Sequence, residues 1–169
     1  METEELILDL VKETDAILRK PARAWSDDLG YDKKSLVKEM LSFMIVKGGI
    51  GLAAPQIGLD LSLFVIGNET LSYACFNPRL ISAEDEVVMM QEGCLSFPGL
   101  YMNVKRPATI TVEYEDIEGE TRRHELNGIM ARIFLHEYDH LLGVCFTDRV
   151  PDLSLKLAQG RRTKNIKKR

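Results

Sequence analysis

Apolar residues recur with a helical period over residues 33–47, KKSLVKEMLSFMIVK, where Leu36, Met40, Leu41, Met44 and Ile45 share one stripe. This predicts an amphipathic helix, closed by Gly48-Gly49 as a C-cap. Residues 2–11 carry a shorter version of the same spacing and predict a short helix. Residues 12–32, with Pro21, adjacent Asp27 and Asp28, and Gly30, read as loop. The segment GIGLAAPQIG, 49–58, also reads as loop. The texture then changes: 61–67, 72–82, 86–92 and 108–116 are rich in β-branched and aromatic residues and predict strands, the second interrupted or edged by Pro78. Asp116-Ile-Glu-Gly-Glu120 predicts a turn, so 108–116 and 121–127 form a hairpin. A second helix is expected over 128–142, between Asn127-Gly128 and Gly143, and a short third one over 151–159, opened by Pro151. Helix, a run of strands, then helices is an α+β order with mainly antiparallel sheet, not alternating βαβ units. We expect one catalytic domain over residues 1–150, then a short helix and basic tail over 151–169.

Composition sharpens this picture in two places. The three cysteines, Cys75, Cys94 and Cys145, are odd in number and far apart, which argues against a disulfide scaffold and for a reducing compartment. A chain of this length buries enough surface to fold without staples. The acidic N-terminal stretch METEELILDLVKE has no basic flank or Arg-rich amphipathic run, so no signal or transit peptide is expected, and no apolar run suits a membrane span. The expected location is the cytoplasm. The net charge is −4, but the last nine residues hold six positive charges and no acid, leaving −10 for residues 1–160. An acidic body excludes a general DNA binder; only the tail suits RNA or another acidic surface.

The chemistry concentrates in His136-Glu137-Tyr138-Asp139-His140, an H-E-x-x-H pattern on the second predicted helix. Residues four apart on a helix lie about 40° apart in angle and about 6 Å apart in rise. Both imidazoles therefore face one way and can grip one ion, with Glu137 beside them as general base. Two ligands do not complete a site. No Glu or His follows His140, and Phe146 stands where the extended H-E-x-x-H-x-x-G-x-x-H pattern needs its third ligand. The search turns upstream to His124, Cys75 and Cys94. His124 lies in the polar run Arg122-Arg123-His124-Glu125, and Cys75 in the apolar run Tyr73-Ala74-Cys75-Phe76. Cys94, in Gln91-Glu-Gly-Cys-Leu-Ser-Phe-Pro98, sits at a bend marked by Gly93 and Pro98, and is the favoured thiolate ligand, although spacing does not decide it.

Three segments, GIGLAAPQIG (49–58), EGCLS (92–96) and HEYDH (136–140), resemble in order and separation the signature motifs of peptide deformylases. Asp15-Ala-Ile-Leu-Arg-Lys-Pro-Ala22 and Gly143-Val-Cys-Phe-Thr-Asp-Arg149 resemble that family's flanking segments, so the likeness spans roughly residues 8 to 150. The resemblance implies antiparallel sheets around a central helix that carries H-E-x-x-H. It implies metal ligands Cys94, His136 and His140, Glu137 as acid and base, and Gln56 with the Leu95 backbone N–H as oxyanion donors. It implies removal of the N-formyl group from the formyl-methionine of new polypeptides by attack of a metal-activated hydroxide, releasing formate. The implied cofactor is one divalent ion, Fe(II) by preference, with Zn(II), Ni(II) or Co(II) as substitutes. The methionine pocket is expected from Ile50, Gly51, Leu52 and Ile133. Arg106 or Arg132 is expected to pair with Glu92 or Asp139. Tyr101 stands where some bacterial members have Arg, and the chain after the metal helix is shorter than theirs; its basic tail is the candidate ribosome contact. The competing readings are another H-E-x-x-H metallopeptidase, a structural metal site completed by Cys145, and a deformylase-like protein without activity.

Overall fold

The computed structural model describes residues 7–168. Its helices are α1 (Lys33–Val46), α2 (Gly128–Leu141) and α3 (Asp152–Lys167). Its strands are β1 (Gly51–Ala53), β2 (Leu63–Gly67), β3 (Ser72–Ala83), β4 (Val87–Cys94), β5 (Phe97–Pro107), β6 (Thr109–Glu115) and β7 (Thr121–Asn127). Every pairing is antiparallel: a five-stranded sheet in the order β1-β2-β3-β6-β7 and a separate two-stranded sheet, β4-β5. This is the expected α+β arrangement, with α2 held between the sheets.

Each element follows from its residues. Asp32 caps α1 by accepting from the Ser35 N–H at 2.7 Å, and Leu36, Val37, Met40 and Met44 bury the helix's apolar stripe. β6 alternates half-buried and buried residues, Ile110, Val112 and Tyr114 facing inward, as a strand with one covered face must. That face meets Ala131, Phe134 and Leu135 of α2, and Phe134 stacks edge-on against Phe64 of β2 with centroids 5.1 Å apart. Burying each large apolar side chain here contributes about 1.5–3 kcal/mol. The sheet's other face packs on α1 and Trp25, and a third cluster joins β5 to Leu18, Phe146 and Ala158 of α3. Gly143 ends α2 with φ +74°, and a Cβ there would lie 2.7 Å from the Lys20 backbone, so both the turn and the close approach require glycine.

Four expectations change. Residues 7–11 form no helix; the rest of that expected segment lies outside the described residues. Instead Val11 N–H donates to the Gln56 carbonyl at 3.0 Å, anchoring the segment to the first motif. That motif is not all loop, since residues 51–53 pair with β2. β5 was not foreseen. Nor was the length of α3, which carries the basic residues on to Lys167 through Gly160. Pro78 does lie within β3, where the register slips between Phe76 and Arg79 and Asn77 takes φ +47°, a conformation asparagine tolerates.

Candidate metal centre

Two elements converge on one point. The helical spacing of His136 and His140 on α2 sets their ring centroids 5.2 Å apart, and the end of β4 brings Cys94 to them. The Cys94 Sγ lies 3.3 Å from His140 Nε2, and one ligand atom from each of the three residues lies within 4.8 Å of the others. Among the described residues no other group of His, Cys, Asp and Glu comes together this way. Cys145 is buried with its thiol 3.7 Å from the Leu18 carbonyl, and stands outside the group, which removes the fourth protein ligand a structural site would need. Cys75 is core and His124 is exposed, stacked on Tyr114.

One thiol and two imidazoles form a donor set suited to late first-row divalent ions rather than to magnesium or calcium. The surroundings favour positive charge. His136 Nδ1 lies 2.9 Å from Glu92 Oε1, which leaves Nε2 as the ligand atom. Burial would lower the His136 pKa, but the Cys94 thiol and the Glu92 carboxylate outweigh it and hold the ring up at about 10. Burial pushes His140 well below its ordinary value, keeping that ring neutral and ready to ligate. The three groups therefore fit a bound ion.

Behind His136 lies a buried set of charges. Burial alone would raise the Glu92 pKa; hydrogen bonds from His136, Arg106 and Arg132 hold it well below the usual carboxylate range instead. Arg106 bridges Glu92, at 2.7 and 2.9 Å, to Asp139 at 2.8 Å, and Arg149 clamps both oxygens of Asp139 at 2.6 and 3.0 Å. The expectation that one arginine pairs with Glu92 or Asp139 is exceeded: Arg106 takes both, and Arg132 takes Glu92 as well.

Glu137 is 4% exposed, and burial raises its carboxyl to about 7. One of its oxygens, Oε2, is buried without a hydrogen-bond partner. The other lies against Gly51, where a Cβ would collide with the carboxylate. Gln56 is oriented from both ends: its Oε1 accepts from Ala53 N–H at 2.8 Å, and its Nε2 reaches Ser96 Oγ at 3.0 Å and Cys94 Sγ at 3.4 Å.

A cavity of about 300 Å³ opens onto these groups, walled by Ile50, Gly51, Gln56, Leu95, Ile133, His136 and Glu137. Leu52 is not in its wall. Strand alternation turns Leu52 away from Gly51 and into the core beside Met40 and Met44, fully buried. Ile129, Gln91 and Gly48 also line it and were not assigned to the pocket, Arg132 was expected only as a partner of Glu92 or Asp139, and the contact of the Tyr101 ring with Gly93 was not foreseen. Ile129 lies one helical turn before Ile133 on the same face, a spacing that could have found it.

A thiol and two imidazoles converging beside a buried carboxylate, at the end of a cavity, is the arrangement of a mononuclear metallohydrolase. Comparison with known proteins narrows the class. The chain matches the polypeptide deformylase family over residues 7–156. It is 43% identical over 140 residues to a peptide deformylase of Synechococcus sp. (strain RCC307), covering 80% of this chain and 69% of that one. It is 40% identical over 153 residues to peptide deformylase 1B, chloroplastic/mitochondrial, of Arabidopsis thaliana, covering 88% and 56%. The crystal structure of peptide deformylase from Thermus thermophilus superposes with a TM-score of 0.85 at 40% identity, covering 95% of this chain and 96% of that one. The chain belongs to the peptide deformylase family. It is a metal-dependent hydrolase that removes the N-formyl group from newly made peptides.

Proposed function

We propose that Cys94, His136 and His140 hold a single divalent ion, Fe(II) by preference and replaceable by Zn(II), Ni(II) or Co(II), and that Glu137, Gln56 and Leu95 carry out deformylation around it. The convergence of the three ligand atoms at a cavity whose wall also holds Glu137 carries this reading. When bound, the ion supplies Lewis acidity, bringing the pKa of a coordinated water from 15.7 toward about 7 and polarising the formyl carbonyl.

The chain's own groups do the rest. Glu137, lifted to about 7 by burial, sits near the pH at which it exchanges protons in both directions. It takes a proton from the attacking water and returns one to the departing amine nitrogen, so formamide and water become amine and formate. The Gln56 amide, fixed by Ala53 and Ser96, turns to the formyl oxygen the N–H that here lies 3.4 Å from Cys94 Sγ, and with the Leu95 backbone N–H stabilises the charge that grows there. Ile133 and Ile129 line the pocket for the methionine side chain, with Ile50 at its mouth. Gly51 and Glu137 pack too closely for a Cβ between them, and this crowding supports steric exclusion of an acetyl methyl where a formyl hydrogen fits. Tyr101, over Gly93, meets the peptide beyond methionine.

We place the protein in the cytoplasm, a reading supported by its three free cysteines. The exposed cations of α3, Arg161, Lys164 and Lys167, suit docking on the ribosome. Unchanged ribosome affinity after their replacement by Gln would exclude that contact. The function itself is tested by anaerobic purification, metal analysis and formate release from formyl-Met-Ala-Ser. One ion per chain and turnover by the Fe(II) form are expected; no release by that form would end the assignment.

A further inference from the structure

The groups that would hold the ion come from two elements that no strand ladder joins. Cys94 belongs to the β4-β5 hairpin, while His136 and His140 belong to α2, which lies on the other sheet. A two-stranded hairpin is marginal by itself in water, so neither element alone fixes the distance from thiol to imidazoles.

Arg132 spans this gap. It precedes His136 by one helical turn and is 4% exposed. Its Nη1 donates to the Val104 carbonyl of β5 at 2.6 Å and to Glu92 Oε2 at 2.8 Å; its Nη2 donates to the Val88 carbonyl of β4 at 2.6 Å. One guanidinium thus ties α2 to the backbones of both hairpin strands and to the carboxylate that orients His136. It also completes the shell of Glu92. Oε1 receives His136 Nδ1 and Arg106 Nη2, both at 2.9 Å, and Oε2 receives Arg106 Nε at 2.7 Å and the Arg132 bond. All four acceptor positions of that carboxylate are taken. Arg106 makes a second tie from β5 to Asp139 through side chains alone; the grip on strand backbone belongs to Arg132.

We propose that Arg132 is a positioning residue for the metal centre: it sets the spacing between Cys94 and the two histidines and thereby how long the ion is retained. The inference rests on the reading of those three residues as ligands. Arg132 also forms part of the cavity wall, so a change in KM alone says nothing about this role. Retention is the readout.

Wild type, Arg132→Met and Arg132→Lys are loaded with Co(II). The thiolate-to-cobalt absorption band is recorded, and its decay is followed in excess chelator. A band in wild type that Cys94→Ala lacks upholds the ligand reading; its absence from wild type would overturn that reading, and this inference with it. Arg132→Met should lose cobalt about 10–100-fold faster than wild type, the usual cost of removing a group that orients a ligand, with a weakened band. Arg132→Lys keeps the charge but cannot reach three acceptors, and should fall between. Ile110→Val, expected to lower the melting temperature by shortening a buried side chain of the five-stranded sheet, should hold its ion as wild type does. A loss rate for folded Arg132→Met within about twofold of wild type overturns the proposal, as does equally fast loss from Ile110→Val at matched stability. If Arg132→Met does not fold, Arg132→Lys is judged by the same twofold limit.

Discussion

Replacing Gly51 by alanine tests whether the carboxylate of Glu137 must stand where it is. A Cβ at residue 51 would lie 2.7 Å from Glu137 Cδ and 2.8 Å from Cγ. Carbons pack at about 3.5–4.0 Å, so something must yield by about 1 Å. The strand cannot back away, because β1 is paired with β2 through Gly51–Ile66, Leu52–Val65 and Ala53–Phe64. The displaced group is therefore Glu137, itself enclosed at 4% exposure. A misplacement of about 1 Å at a reacting group costs about 10²-fold, or about 2.7 kcal/mol of transition-state stabilisation. The assay is formate release from formyl-Met-Ala-Ser by Fe(II)-loaded protein, with metal content measured in the same preparation. Gly51→Ala should keep its ion, since the ligands are untouched, and lose about 100-fold in kcat/KM. Combined with Glu137→Gln it should lose little more than Glu137→Gln alone, because both act on one group. A loss under about threefold at full metal content, or full additivity in the double variant, would refute the steric argument.

Three further outcomes follow from neighbouring geometry. Gln56→Leu should lower kcat about 10²–10³-fold at unchanged metal content, as removal of one oxyanion donor does; a change in KM alone would assign Gln56 to ground-state binding. Arg106→Met leaves Glu92 and Asp139 buried without their shared cation, and should cost about 3–5 kcal/mol, read by calorimetry as a melting temperature lower by roughly 10 °C. Gly143→Ala forces a side chain into a backbone at φ +74° and against the Lys20 main chain, and should destabilise by at least about 1–3 kcal/mol in urea titration, with activity of the folded fraction retained.

Much of this site was legible in the sequence because it depends on local spacing. The four-residue interval between His136 and His140 needs only a helix, and the bend around Cys94 is marked by Gly93 and Pro98. What escaped depends on distant partners. β5 alternates Leu100, Met102, Val104 and Arg106 inward, but an arginine at an inward position breaks the apolar pattern, and its reason, Glu92 and Asp139, lies on other elements. β1 is three residues of Gly, Leu and Ala, all buried, with no alternation in polarity to betray a strand. The same pleat that hid β1 misdirected Leu52, assigned to the pocket and found in the core. Arg132 was expected only as an alternative to Arg106 for pairing with Glu92 or Asp139; its grip on the Val88 and Val104 carbonyls escaped, because those acceptors sit on β4 and β5. The third helix was expected to stop at residue 159, yet helices tolerate a glycine at about 1 kcal/mol, and α3 continues through Gly160 to Lys167.

The central claim is that Glu137 moves the protons while Cys94, His136 and His140 hold the ion, and formate release by metal-replete Glu137→Gln tests it most directly. Glutamine keeps the shape and removes the titrating group. The account predicts one ion per chain, as in wild type, and a rate lower by at least about 10²-fold. Turnover within about threefold of wild type at equal metal content would contradict it.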